Sequence, residues 1–203
     1  MCHKNKTKDE KYRILDFEFY YFNQNHQDIM THPRNSEALC WYINDFGGMD
    51  LNFESKIEVN NESMVKKNFK TYSCRYKLSK DSYFGGVLIR QIQRLSDKVI
   101  FDGPLKVAEL FRTFNASHQL QDIPILIIAP ESLEKLEFAS PQRHNILGSH
   151  KDITKKVDYN LQSCFEKVDD YERSDLIDSV QNILDKESTN HCYRYCWAGL
   201  KAK

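Results

Sequence analysis

What the chain lacks narrows it first. No apolar run approaches the ~20 residues that span a bilayer; the longest, residues 123–130, has the length of a strand. The opening stretch, MCHKNKTKDEKY, is polar and holds no apolar segment of the signal-peptide kind. A cytoplasmic protein with no membrane partner is therefore expected. There is no CxxC pair. Cys2, Cys40, Cys74, Cys164, Cys192 and Cys196 are scattered, which in a cytosolic chain reads as buried or half-buried thiols. His191, Cys192 and Cys196 have the makings of half a metal site. A zinc centre takes four ligands at recognisable spacing, and the sequence offers no second half, so no metal and no cofactor is expected. No internal repeat is visible. Net charge is absent too, with 29 basic and 29 acidic residues.

That zero hides an uneven spread. Residues 64–80 contain Lys66, Lys67, Lys70, Arg75, Lys77 and Lys80 and no acid, with Phe69, Tyr72 and Tyr76 interleaved. Residues 157–187 run the other way, with nine acids against Lys167, Arg173 and Lys186. A neutral total thus leaves room for a basic surface that meets phosphates, or for an ordinary solvated face. At 203 residues, 40% of them hydrophobic, the chain suits one domain with a real core. The division read from the sequence is a flexible polar tail, 1–11, and a single domain, 12–203.

The stretch that organises the rest is RILDFEFYYFNQNHQDIMTHPR, residues 13–34. Its first half has the make-up of a strand, in which side chains alternate faces. Leu15, Phe17, Phe19 and Tyr21 then share a core face. Asp16, Glu18 and Tyr20 share the other, where two acids are out of place by strand propensity unless they line a site. A polar loop follows, with His26 and His32. Residues 38–54 alternate on either side of Gly47-Gly48 and read as a β-hairpin closed by a two-residue turn. Residues 55–63 read as loop. Residues 72–78 read as a strand whose partner is 83–95. In that partner Arg90 shares the face of Leu88 and Ile92, a position that needs a counter-charge or a path to the sheet edge.

Asp102-Gly103-Pro104 announces a helix, since Pro is favoured at the first helical position. Leu105, Ala108, Leu110, Phe111 and Phe114 form its apolar stripe. Residues 123–128 read as a buried strand and 130–155 as mostly irregular. Ser174 caps a second helix that turns Leu176, Ile177, Val180, Ile183 and Leu184 inward. Residues 191–200 close the chain as an aromatic strand. Strands dominate the first half and helices enter the second, so the fold class is α+β.

The order of these motifs resembles the alkyladenine (3-methyladenine) DNA glycosylase family. The matching features are Glu18-Phe19-Tyr20, His32, Trp41-Tyr42, Val87-Leu88-Ile89-Arg90, Gly103-Pro104-Leu105-Lys106 and the closing CYRYCW. They span roughly residues 12–130 and 190–198. The resemblance implies a mostly antiparallel, curved β-sheet core with peripheral helices, acting as a monomer on double-stranded DNA with damaged purines. It implies base excision repair by hydrolysis of the glycosidic bond, with Glu18 as general base and Arg90 holding the water and the carboxylate. Tyr20, His32 and Tyr42 become the walls around a flipped purine, with His26 the rival to His32. Lys106 becomes a DNA contact. Where the family inserts a tyrosine into the duplex this chain has Asp45, and neighbouring Phe46 is the candidate wedge. The chemistry suits those residue types. A base must leave the stack to be attacked, aromatic walls recover stacking worth ~1–3 kcal/mol per base, and a carboxylate can activate water beside a cationic sugar. Two other readings stay open. One is a non-catalytic module of this fold that binds nucleic acid, a nucleotide or a protein. The other is a metal hydrolase using Asp16, Glu18, His26 and His32.

Overall fold

The structure, a computed structural model of the chain, describes residues 2–5, 8–33, 38–43, 48–67, 71–115, 125, 137–143, 146–147, 150, 152–166, 170–190 and 193–197. Cys2–Asn5 (β1) folds back on the start of Lys8–Asn23 (β2), so the expected tail, 1–11, holds one strand and the first residues of another. Then come His26–Gln27 (β3), Trp41–Ile43 (β4), Met49–Asn52 (β5), Glu58–Lys67 (β6), Thr71–Lys77 (β7), Phe84–Arg94 (β8) and Ile100–Asp102 (β9). The helix Pro104–Asn115 (α1), the short strand Phe138–Ala139 (β10), the helices Ile153–Cys164 (α2) and Asp170–Asn190 (α3), and the strand Arg194–Trp197 (β11) complete the order.

One sheet runs β10-β11-β2-β8-β5-β4, with β1 and β3 also on β2 and β9 on β8. Every strand pair in it is antiparallel. β6 and β7 form a separate two-stranded ribbon. The chain is thus a single α+β domain with a mostly antiparallel open sheet and, among the described residues, three helices.

Each face of the sheet carries its own core. On one face Tyr12, Met49, Ile89 and Ile92 pack against Val107, Ala108 and Phe111 of α1. On the other Phe22 and Phe84, direct cross-strand partners, stack at 4.8 Å and pack under Val157 and Leu161 of α2 and Leu176 and Val180 of α3. Side chains two apart on a strand share a face. Tyr20 and Glu18 therefore continue the Phe22 face along β2, and Gly86, Leu88 and Arg90 continue the Phe84 face along β8.

A register irregularity sits beside them. Ile14 pairs Ile92 and Phe17 pairs Ile89, with Asp16 opposite Gln91 between. Both strands thus take a three-residue step, as bulges allow, and Ile14 and Phe17 both pack on the α1 side. Asp16 can then stand with Glu18, although Ile14 points the other way. The expected core face is split accordingly. Leu15 is fully buried, while Phe17, Phe19 and Tyr21 are half-buried and join Phe53, Tyr195 and His26 in a run of ring contacts.

Several expectations need correction. Residues 55–63 are not loop throughout, because β6 begins at Glu58 and is the partner of β7; β8 pairs β2 and β5 instead. The polar residues of β6 hide a strand that lies outside the main sheet. The hairpin of β4 and β5 is present, but Ile43 pairs Met49, so its connection is longer than two residues. α1 opens at Pro104 after Gly103, whose φ of 106° favours glycine. Among its described side chains Val107, Ala108 and Phe111 are buried and Leu105 is exposed; that of Phe114 lies outside them. α2 begins in the last three residues of the stretch read as mostly irregular, 130–155, and runs on past it. Its signal was Asp152, whose carboxylate accepts from the Lys155 amide at 2.7 Å. α3 starts at Asp170, a turn before Ser174, and buries Leu176, Val180 and Ile183 as expected. Of the expected strand 123–128, only Ile125 lies within the described residues.

Candidate active site

Glu18 is the centre of a charged cluster on the Phe22 face. Its side chain is fully buried. The Tyr20 hydroxyl donates to Glu18 Oε2 at 2.7 Å, and Arg90 Nη1 donates to the same oxygen at 3.3 Å. Arg194 Nε lies 3.6 Å from Glu18 Oε1. Asp16, beside it, takes a two-pronged contact from Arg194, with Nε at 3.1 Å and Nη2 at 2.7 Å, and has Arg90 Nε at 3.8 Å. Two carboxylates thus interleave with two guanidiniums. An unpaired buried carboxylate would be far too costly to keep, and the forked guanidinium suits a carboxylate pair. Hydrogen bonding to Asp16, assisted by both nearby acids, raises the Arg194 pKa. Burial, reinforced by the Glu18 charge, pushes the Tyr20 phenol well above its ordinary value, so it remains a donor to Glu18 at neutral pH.

The backbone explains why these groups meet. Arg194, Glu18, Leu88, Asp50 and Tyr42 are successive cross-strand partners, one row from β11 to β4. With strands ~4.8 Å apart, Tyr42 stands roughly 14 Å along that row from Glu18. The next row is Tyr20, Gly86 and Asn52. Gly86 leaves the middle of that row without a side chain. Gly85 and Gly86 also let β8 lie close between its neighbours: a Cβ on Gly85 would stand 2.3 Å from the Tyr20 carbonyl oxygen, and one on Gly86 2.9 Å from that of Leu51.

A second cluster joins the first through Tyr20. The Arg143 guanidinium lies over the Tyr20 ring, 5.1 Å from its centroid, and over the Tyr193 ring at 4.9 Å. Arg143 Nη1 donates to Asp28 Oδ2 at 2.6 Å, and Nε donates to Glu187 Oε1. The Arg143 side chain is fully buried, and among the described residues its Nη2 has no hydrogen-bond partner. Burial works against its charge, yet Asp28, Glu187 and Tyr20 together raise its pKa. Burial raises Glu187 above the ordinary carboxylate value despite Arg143.

The sequence-derived candidates divide clearly. Tyr20 and Arg90 both bond Glu18, and Asp16 pairs with Arg90 and Arg194. Tyr42 lies on the same face. His32 is elsewhere: its Nδ1 is 3.5 Å from Cys164 Sγ on α2. Its rival His26 stacks on Tyr21 and Tyr193, and burial lowers its pKa. Lys106 is exposed in the first turn of α1. Phe46 and Asp45 lie outside the described residues, as do the side chains of most of the basic run carried by β6 and β7. No family model, no curated protein and no solved structure matches the chain.

Arg194, Arg143, Asp28, Glu187 and Tyr193 are the residues that sequence reading missed. Alternation along CYRYCW sets Arg194 and Cys196 on one face and Tyr195 on the other, which was a usable signal. Nothing local marks Arg143. Among the described residues no group of three or more His, Cys, Asp or Glu could hold a metal ion. Cys196 is buried and Cys164 half-buried as expected, but Cys40 is exposed. A cavity of about 380 Å³ lies between β3 and α3, with His26, Asp175, Asp178 and Lys186 in its wall and Glu18 outside it.

Proposed function

We propose that the chain is a glycosylase-like hydrolase that releases damaged purines from DNA, with Glu18 as general base. The observation that carries this reading is that Tyr20 and Arg90 both bond Glu18 on one sheet face, with Tyr42 in the same cross-strand row as Glu18, beyond Leu88 and Asp50. Arg90 and Tyr20 hold the carboxylate in one orientation, as a base that must direct water at a single carbon requires. The negative charge of Glu18 would also favour an oxocarbenium-like centre on the sugar. Tyr20 and Tyr42 would be the aromatic walls around a flipped base; one face of Tyr20 is already taken by Arg143. The basic run, most of it on the β6–β7 ribbon, would supply the phosphate contacts.

One observation favours the second reading, a non-catalytic module of the same fold. Glu18 is entirely enclosed, and its oxygens already face Tyr20, Arg90 and Arg194. A water must displace part of that shell before the carboxylate can act. The deciding experiment incubates the protein with methylated duplex DNA at low salt, with and without chelator, and measures freed purine. Release of methylated purine supports the glycosylase. Binding of a purine or nucleotide without release supports the module. Release abolished by the chelator would return the metal-hydrolase reading.

A further inference from the structure

Tyr20 reaches Glu18 through a single rotatable hydroxyl, and its ring is held in place from outside β2. The holder is Arg143. Its guanidinium is between the rings of Tyr20 and Tyr193, each within the ~6 Å at which a cation is attracted to an aromatic face. It cannot slide along either ring, because two carboxylates on different elements fix it. Asp28 follows β3, where its other oxygen accepts the Met30 amide at 3.1 Å. Glu187 lies on α3, the next position along the stripe of Leu176, Val180 and Ile183. Only a planar fork can meet two carboxylates and two rings together; a lysine ammonium offers one point charge.

We propose that Arg143 is a positioning residue, which holds the Tyr20 ring where its hydroxyl stays on Glu18. The inference rests on the reading of Glu18 as the reactive carboxylate. Among the described residues the hydrogen bonds and ring contacts of Arg143 go to Asp28, Glu187, Tyr20 and Tyr193, so its effect on Glu18 passes through Tyr20. The arrangement ties the site to the packing of α3 and of the turn after β3, so a disturbance at Asp28 or Glu187 reaches Glu18 without any direct contact.

The test follows the Tyr20 hydroxyl proton by NMR in the full chain, with Tyr20→Phe identifying its resonance. Arg143→Met alone strands two buried carboxylates, so the main variant is the neutral triple D28N/R143M/E187Q. Tyr193→Leu is the second variant; it removes one ring and leaves every ion pair of Arg143. Losing the hold should speed exchange of that proton about tenfold or more, the scale of one hydrogen bond to a charged group. Unchanged exchange in the folded variants, or no protected resonance in the wild type, overturns the proposal. In single-turnover base release, Tyr20→Phe and the triple should lose the same factor, and their combination no more. Losses that multiply would mean that Arg143 acts independently of Tyr20. If the wild type frees no base at all, the Glu18 reading fails, and the exchange measurement still decides the role of Arg143.

Discussion

Asp16, Glu18, Asp28 and Glu187 face Arg90, Arg143 and Arg194 in two clusters joined by Tyr20. Removing one side of such a network leaves the other charged and dry, which costs more than forming the pair contributes. Arg194→Met should lower the free energy of unfolding by ~3–5 kcal/mol, measured by urea denaturation, and Arg194→Lys should regain little of it because the two-pronged contact is lost. A loss under about 1 kcal/mol would place Arg194 with ordinary surface pairs. Glu187 gives a test by pH. Burial raises its pKa in the fold, so the folded state holds that proton more tightly than the unfolded chain does. The resulting stabilisation is fully present below the unfolded carboxylate value and is lost as pH rises through the folded value. Glu187→Gln has no such proton. Its urea midpoint should therefore gain on that of the wild type as pH rises from the acidic range to neutrality; a gap that is constant or shrinks would contradict the shift.

At the scale of elements, Gly85 and Gly86 decide how closely β2, β8 and β5 can lie. Gly85→Ala places a Cβ against backbone, and backbone cannot rotate away. It should cost ~1–3 kcal/mol, as overpacking does, and more than Gly86→Ala, whose clash is milder. Denaturation midpoints in the reverse order would show that β8 shifts to accept the methyl group. These elements were unevenly legible. The alternation of β2 and of the β4–β5 hairpin, the Gly103-Pro104 start of α1 and the 3–4 spacing in α3 are local patterns, and each gave its element. The strand β6 is polar, pairs only with β7 and left no apolar alternation to read. The bulge at Asp16 depends on what β8 does opposite, so parity along β2 alone would put Ile14 on the Asp16 face, whereas it packs with Phe17. α2 was announced by its cap and little else, because Lys156 and Asn160 interrupt its buried stripe.

Across the whole molecule, the sheet divides its work by face. α1 covers one side, and α2 and α3 cover the Phe22–Phe84 end of the other, beyond which the charged cluster begins. Alternation set Glu18 and Tyr20 on one face and marked Arg90 as a charge in need of a partner, but it was the resemblance that joined Arg90 to Glu18. Arg194 and Arg143 could not be paired from the sequence, since their partners are 178 and 115 residues distant in the chain and only the closed fold brings them in. The placement of His32 beside Cys164 has the same origin: the loop after β3 turns toward α2. The central claim is that Glu18 is a reactive base, and the most direct measurement is single-turnover purine release from methylated duplex DNA by wild type and Glu18→Gln, with urea midpoints confirming that both are folded. The wild type should release purine and the variant should lose at least ~100-fold, the lower range for a general base. Equal release by the two proteins, or none by the folded wild type, would contradict it.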